Sequence, residues 1–249
     1  MKTLVMIPTY NERTSLPETM RRLRSAVPDA DVLVIDDNST DGTAEWADEQ
    51  AGQGPAINVL HRANKQGLGK AYLAGMDWGM ERGYQVLVEM DADGSHQPEQ
   101  LPRLLAQVDA GADVVLGSRW VRGGSVHNWP LHRQALSRGA NLYTRVLLGI
   151  RLGDPTGGFR AYTADALRTI GLDEVASQGY CFQVDMAWRA VQRGLDVREV
   201  PIAFVEREHG VSKMSKNIIG EALLSVTKWG LTHRARQVRR LPGKRRPRH

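Results

Sequence analysis

The chain of 249 residues has a single cysteine, Cys181. No intramolecular disulfide can form, and a cysteine-rich zinc site is excluded. No uncharged run reaches the roughly 18 residues that a membrane-spanning helix needs. The opening MKTLVMIPTYNE is too short in apolar residues for a signal peptide and is interrupted by Pro8. The expectation is a cytoplasmic protein whose contact with any membrane is peripheral or through a partner. Internal repeats and low-complexity stretches are also missing before the C-terminal segment. Hydrophobic residues make up 41% and charged residues 24%, values that argue against disorder and for a body with a full core.

Acidic residues are missing from one place. Residues 234–249 carry eight arginine and lysine side chains and no acid, whereas the chain as a whole has a net charge of only +5. The body at 1–233 is therefore mildly acidic, and the basic character belongs to a tail expected to be disordered. A nucleic-acid-binding domain places its cations on the folded face, so nucleic acid is not expected as a partner.

Short apolar runs alternate with helical patterns. The runs are Thr3–Ile7, Val32–Ile35, Ile57–Leu60, Val86–Met90, Val114–Leu116 and Val197–Val205. Helical spacing covers about 15–26, 43–51, 68–82, 99–110, 133–149, 181–193 and 215–231. Several runs are continuous rather than alternating, as in strands buried on both faces. The pattern predicts an α/β fold with a doubly wound, mostly parallel, Rossmann-like sheet and flanking helices. Such sheets bind ligands beyond the carboxyl ends of their strands.

Three of those ends carry polar loops: Pro8-Thr9-Tyr10-Asn11-Glu12, Asp36 to Thr43, and Asp91-Ala92-Asp93-Gly94-Ser95-His96. Each alone reads equally as turn and cap chemistry. Ser15 is placed as an N-cap before Leu16-Pro17, and Asp41-Gly42-Thr43 as a turn and cap. Asp91 and Asp93 flank one small residue. Their mutual repulsion would be relieved by a divalent cation, although a pair of exposed turn acids is an equally simple reading. Gly67-Leu68-Gly69-Lys70 fails the phosphate-loop pattern, with Asn64 where glycine is required, and reads as a glycine-rich helix start. His96, Gln183 and Asp185 read as structural, and Cys181 as a small buried hydrophobe.

PTYNE, IDDNSTDGT, GLGKAYLAGM, MDADGSHQP, GSRW, SRGAN, DPTGGFRAY, GYCFQ and EREHGVSK occur in that order. Together, over about residues 3–230, they resemble the polyprenol-phosphate (dolichol-phosphate) mannose synthases of glycosyltransferase family 2. The resemblance implies a GT-A fold, GDP-mannose as donor, a polyprenyl phosphate lipid as acceptor and Mg²⁺ or Mn²⁺ as cofactor. By position it implies that Pro8, Tyr10 and Glu12 hold the guanosine, with Ile35 and Asp37 beside it. It places Asp91, Ala92 and Asp93 at the diphosphate, the two acids as metal ligands, and Arg207 and Lys213 in a diphosphate-binding loop. Arg119, Arg133 and Ser137 fall around the acceptor phosphate, with Asp91, Asp93 and Arg119 as the catalytic set. Ser95 departs from relatives that carry a longer glutamine ligand there. The implied location is the cytoplasmic face of a membrane, with a membrane-anchoring protein as a further expected partner. The rival readings are another sugar nucleotide, such as UDP-glucose, on the same lipid, and a catalytically silent nucleotide-binding subunit. The 215–231 helix either packs on the body or enters a membrane surface.

Overall fold

The computed structural model describes residues 1–54, 56–175, 180–206 and 223–232. The strands are β1 (Thr3–Thr9), β2 (Asp31–Asp36), β3 (Ile57–His61), β4 (Val86–Glu89), β5 (Val114–Ser118), β6 (Ser125–His127), β7 (Arg160–Thr163), β8 (Val197–Pro201) and β9 (Ala203–Val205). The helices are α1 (Leu16–Ala26), α2 (Thr43–Ala51), α3 (Leu68–Glu81), α4 (Leu101–Asp109), α5 (Leu131–Leu148), α6 (Ala164–Ile170) and α7 (Tyr180–Gln192). A further helix occupies 223–232.

Seven strands form one sheet in the order β3-β2-β1-β4-β7-β5-β8, all parallel to their neighbours except β7. The continuous apolar runs bury both faces. Leu4, Met6, Leu33, Ile35 and Leu87 pack under α3, α6 and α7. Their alternates Val5, Ile7, Val32, Val34, Val86 and Val88 pack under α1, α2 and α4, as the two-residue period of a strand requires.

The glycines of α3 let its backbone lie directly on the sheet. A Cβ at Gly75 would stand 2.5 Å from Ile35 Cδ1 and 3.0 Å from Met6 Sδ, and one at Gly79 2.7 Å from Leu87 Cδ2. Gly69 is pressed on Phe182 in the same way. The glycine-rich helix start is thus a packing surface. Gly75→Ala is expected to lower stability by about 1–3 kcal/mol through overpacking, despite alanine's better helix propensity. A denaturant midpoint equal to or above that of the parent would contradict this.

The structure adds α6 and β6, which the sequence reading did not contain, and departs from it at three further points. The Arg160–Thr163 segment is a strand, antiparallel to β4 and β5. The run Val197–Val205 is two strands, because at Ile202 the chain leaves β5 and pairs with β6 through β9. Ser15 does not cap α1 with its side chain; its hydroxyl donates to Glu12 Oε2 at 2.8 Å. The 215–231 helix is described only from 223. There, of the apolar residues Leu223, Val226 and Leu231, only Val226 is buried, while Leu223 and Leu231 are exposed. The tail at 234–249 lies outside the described residues.

Candidate active site

The carboxyl ends of β1, β2, β4, β5 and β8 open on one sheet edge, joined there by the start of antiparallel β7. At the β1 and β2 ends, Asp36 organises the backbone. Its carboxylate accepts from Thr9 Oγ1 at 3.0 Å, Ser39 Oγ at 2.6 Å and Ser39 N at 2.9 Å. Asn11 and Asn38 take positive φ, the left-handed conformation that asparagine tolerates. Asn11 also bridges the loops, accepting from Thr40 N at 2.8 Å. Asp41 accepts from Thr43 N at 3.0 Å and Arg13 N at 3.1 Å, which starts α2 and ties it to the β1 loop.

Tyr10 and Asp37 are brought together on this floor. Lys65 Nζ stands 3.9 Å from the Tyr10 ring centroid, and Arg62 pairs with Asp37. Burial pushes the Asp37 carboxyl above its usual range, against the pull of Arg62. Pro8 and Glu12 are half-buried at the same end. Ile35 is not available to a ligand. Its side chain is fully buried in the core against Gly75, because strand alternation turns it inward there. Only its backbone borders the site.

Beyond β4, Ala92 is buried and its carbonyl accepts from Thr19 Oγ1 of α1 at 3.0 Å. This pin leaves Asp91 and Asp93 partly exposed on either side of Ala92. Tyr72 OH donates to Asp91 Oδ1 at 3.4 Å, and Ser95 N donates to Asp93 Oδ1 at 3.1 Å. The Asp91 N–H donates to His96 Nδ1 at 3.0 Å, so that nitrogen carries no proton and is already used. His96 is buried between Phe159 and Phe204, a structural role. Ser95 Oγ is also buried and without a hydrogen-bond partner among the described residues.

No group of three or more His, Cys, Asp or Glu able to hold a metal forms among the described residues. Asp91 and Asp93 supply two hard oxygen ligands. That donor set fits a cation such as Mg²⁺, which takes one or two carboxylates and completes its shell with water and substrate phosphates.

A charged group sits unexpectedly beneath these acids. Glu89 of β4 is fully buried, and burial pushes it up to about 7 despite the nearby Arg160 guanidinium. Gln183 Nε2 donates to it at 2.8 Å. Arg160, also fully buried, donates to the carbonyls of Pro155, Gly157 and Gln183, each at 2.7 Å. It thereby ties the loop before β7 to α7. Asp185 pairs with Arg189 at 2.8 Å, and Cys181 is buried, both as read from the sequence.

At the end of β5, Arg119 is gripped by Asp154, a residue to which the sequence assigned no role. Nε and Nη2 of Arg119 donate to the two carboxylate oxygens at 2.7 Å each, and its N–H at 3.0 Å. Burial raises Asp154, but the guanidinium and these bonds more than offset it and hold the carboxyl below its usual range. The Arg119 guanidinium lies 5.4 Å from the Trp129 ring and 5.5 Å from that of Phe204. Arg133 stacks at 4.2 Å on Trp129 and pairs with Glu206, while Ser137 Oγ accepts from Trp120 Nε1 at 3.1 Å. Arg207 and Lys213 lie outside the described residues.

The model for "Glycosyl transferase family 2" matches residues 4–171. The chain is 59% identical over 234 residues to the undecaprenyl-phosphate mannosyltransferase of Micrococcus luteus, covering 94% of this chain and 96% of that one. It is 56% identical over 239 residues to the polyprenol monophosphomannose synthase of Mycolicibacterium smegmatis, covering 96% and 90%. Among solved structures, glucosyl-3-phosphoglycerate synthase of Mycobacterium tuberculosis with Mn²⁺ and UDP-glucose matches with a TM-score of 0.65 at 19% identity, over 93% of this chain and 78% of that one. The mannosyltransferase PcManGT of Pyrobaculum calidifontis with GDP-Man and Mn²⁺ matches at 0.60 and 17%, over 94% and 64%. These two likenesses concern the GT-A fold.

Proposed function

The chain belongs to glycosyl transferase family 2, and from that premise we propose that it transfers mannose from GDP-mannose to a polyprenyl phosphate. The products are β-mannosyl-phosphopolyprenol and GDP, with inversion at the sugar. The observation that carries this reading is the identity of 59% and 56%, over almost the whole of both chains, to enzymes named for mannose and a polyprenyl phosphate.

The geometry supports it. The nucleophile is a phosphate oxygen, anionic at neutral pH, so no side chain has to remove a proton. What is needed is control of negative charge. Tyr10, Asp37, Pro8 and Glu12 border the nucleoside end. Asp91 and Asp93 would hold Mg²⁺ or Mn²⁺, which would supply positive charge to the leaving diphosphate. Arg207 and Lys213 are assigned to the same diphosphate. Arg119, Arg133 and Ser137 are assigned to the acceptor phosphate, for which guanidinium forks are suited.

The test is transfer of labelled mannose from GDP-mannose to a defined polyprenyl phosphate. Labelled lipid is the expected product. Label entering from UDP-glucose but not from GDP-mannose would replace this reading with the rival donor.

Arg133→Ala is expected to lower use of the lipid phosphate by at least about tenfold while GDP-mannose affinity changes little. Arg119 is the poorer position for this test, since its removal strands the buried Asp154. Loss of donor affinity with acceptor use intact, read by calorimetry and rate, would reverse the assignment.

The acceptor's chain stays in the bilayer, so the enzyme works at its surface. Among the described residues no helix is long and apolar enough to cross a membrane. The helix at 223–232 packs on α5, with Tyr143 OH 2.6 Å from Thr227 Oγ1. Leu131, Leu142, Val146, Leu224 and Leu231 stay exposed on the pair. The cationic 234–249 tail adds attraction to an anionic surface, about 1 kcal/mol for each residue that reaches it. Deleting it is expected to weaken cosedimentation with anionic vesicles and to leave donor binding intact. High salt should act likewise, because the attraction is screened within about 10 Å at 0.1 M. Equal cosedimentation of both proteins at low and high salt would instead favour a membrane-anchoring partner.

A further inference from the structure

A cavity of about 360 Å³ opens between α5 and the loop after β5, and its lining includes Arg119, Trp120, Arg138, Leu142 and Arg145. Of its three arginines, only Arg119 is neutralised, by Asp154. Arg138 and Arg145 are exposed and form no ion pair among the described residues. They are seven residues apart, two turns along one side of α5. The Arg138 guanidinium stands 4.6 Å from the Trp120 ring centroid, which fixes its stem against the cavity wall. Among the described residues the cavity therefore holds two guanidinium groups without a counter-charge, beside exposed Leu142 and Val146, each with 59% of its surface open. Paired guanidiniums suit a phosphate. Cationic side chains alternating with exposed apolar ones on one helix suit the boundary between headgroups and acyl chains.

We propose that this cavity seats the phosphate of an anionic bilayer phospholipid, whose acyl chains run beside Leu142 and Val146. The proposal rests on the reading that the enzyme works at a lipid surface. The seat is distinct from that of the reacting phosphate. His96, next to the Asp91–Asp93 loop, packs on Phe204, Phe204 on Trp129, and Trp129 on Trp120. Arg138 lies on Trp120 at the far end of that row. Ser137, assigned to the acceptor phosphate, reaches the same Trp120 ring, so the two seats adjoin, and the farnesyl phosphate arm of the test below tells them apart. An anionic lipid held there would orient α5 on the membrane and keep Arg119, at the cavity's inner wall, next to the surface from which the acceptor arrives.

The test uses the full chain and dihexanoyl phosphatidylglycerol below its micellar concentration, read by isothermal titration. The parent protein is expected to bind it saturably at one site, and dihexanoyl phosphatidylcholine far more weakly. Arg138→Gln with Arg145→Gln should weaken phosphatidylglycerol binding by at least about tenfold, the consequence of removing two charge-assisted contacts from one phosphate. Arg103→Gln with Arg168→Gln, the same charge change on α4 and α6, should leave it unaltered. Arg138 and Arg145 are both exposed, so an unchanged melting temperature accompanies the loss. Farnesyl phosphate and inorganic phosphate form the comparison arms. The proposal is overturned if the parent does not bind phosphatidylglycerol, if inorganic phosphate binds as tightly, or if the double variant loses farnesyl phosphate and retains phosphatidylglycerol. Mannosyl transfer in detergent is measured separately. Its absence in the parent, with phosphatidylglycerol binding and its loss as expected, would mark failure of the proposed function and not of the lipid seat.

Discussion

Asp93→Ala is expected to lower mannosyl transfer by about 10²–10³-fold, the range typical for loss of one main charge-stabilising element. The fold should survive. Asp93 is partly exposed, and it accepts the backbone N–H of Ser95 at 3.1 Å. The seat of the acids is maintained by buried Ala92, whose carbonyl remains bonded to Thr19. The expected lesion is chiefly one of charge at the position proposed for the diphosphate. Initial rates at saturating GDP-mannose, over a range of Mg²⁺ or Mn²⁺, measure it. Excess EDTA should bring the parent to a comparable level. A variant that keeps near-parental turnover in EDTA would remove the two acids from the proposed mechanism.

Asp154→Ala is expected to cost about 3–5 kcal/mol of stability, the range for stranding one partner of a buried ion pair. Asp154 is fully buried and Arg119 is 8% exposed, so little water can replace the lost carboxylate. Asn141 Nδ2 and Thr156 Oγ1, which donate to the same carboxylate, lose their acceptor as well. The pH dependence has a definite sign. The folded pKa of Asp154 lies below its ordinary 3.8. Its contribution is then complete above the unfolded value and is lost as pH falls through the lower folded value. Urea unfolding of the parent should lose this increment on acidification below about pH 4. The variant should show a lower midpoint at pH 7 and a flatter acid limb. A loss under about 1 kcal/mol at pH 7 would show that the pair is worth no more than a surface bridge. Transfer activity should fall too, because Arg119 then has no carboxylate to hold its fork at the end of β5.

The parallel part of the sheet was legible because its cause is local. Residues such as those of Val32–Ile35 are apolar without interruption, and only a strand buried on both faces uses such a run. The acid-rich loops were legible for the same reason. A turn that follows a buried strand must lie at its carboxyl end, and chain order already places Asp36, Asp91 and their neighbours there. The motifs that resemble the lipid-phosphate mannose synthases narrowed the chemistry further, because they combine residues with a reaction.

What escaped the sequence depends on partners far along the chain. The β7 strand begins with Arg160, a residue that argues against a buried strand until three carbonyls and Glu89 are seen around it. Glu89 itself, a lone acid inside the apolar run Val86–Met90, was the visible signal of that buried network. Asp154 was given no role in the sequence; its function depends on Arg119, 35 positions away. Ile35 shows what motif position leaves open. Motif position placed it beside a nucleoside, but the pleat turns its side chain into the core against Gly75. Local hydrophobic period and turn chemistry determined the elements and the edge at which the site lies. Which charges are buried, paired or left open on that edge was decided only by tertiary structure, because the energy of a charge depends on the dielectric and the counter-charge that packing brings to it, and not on its neighbours in the chain.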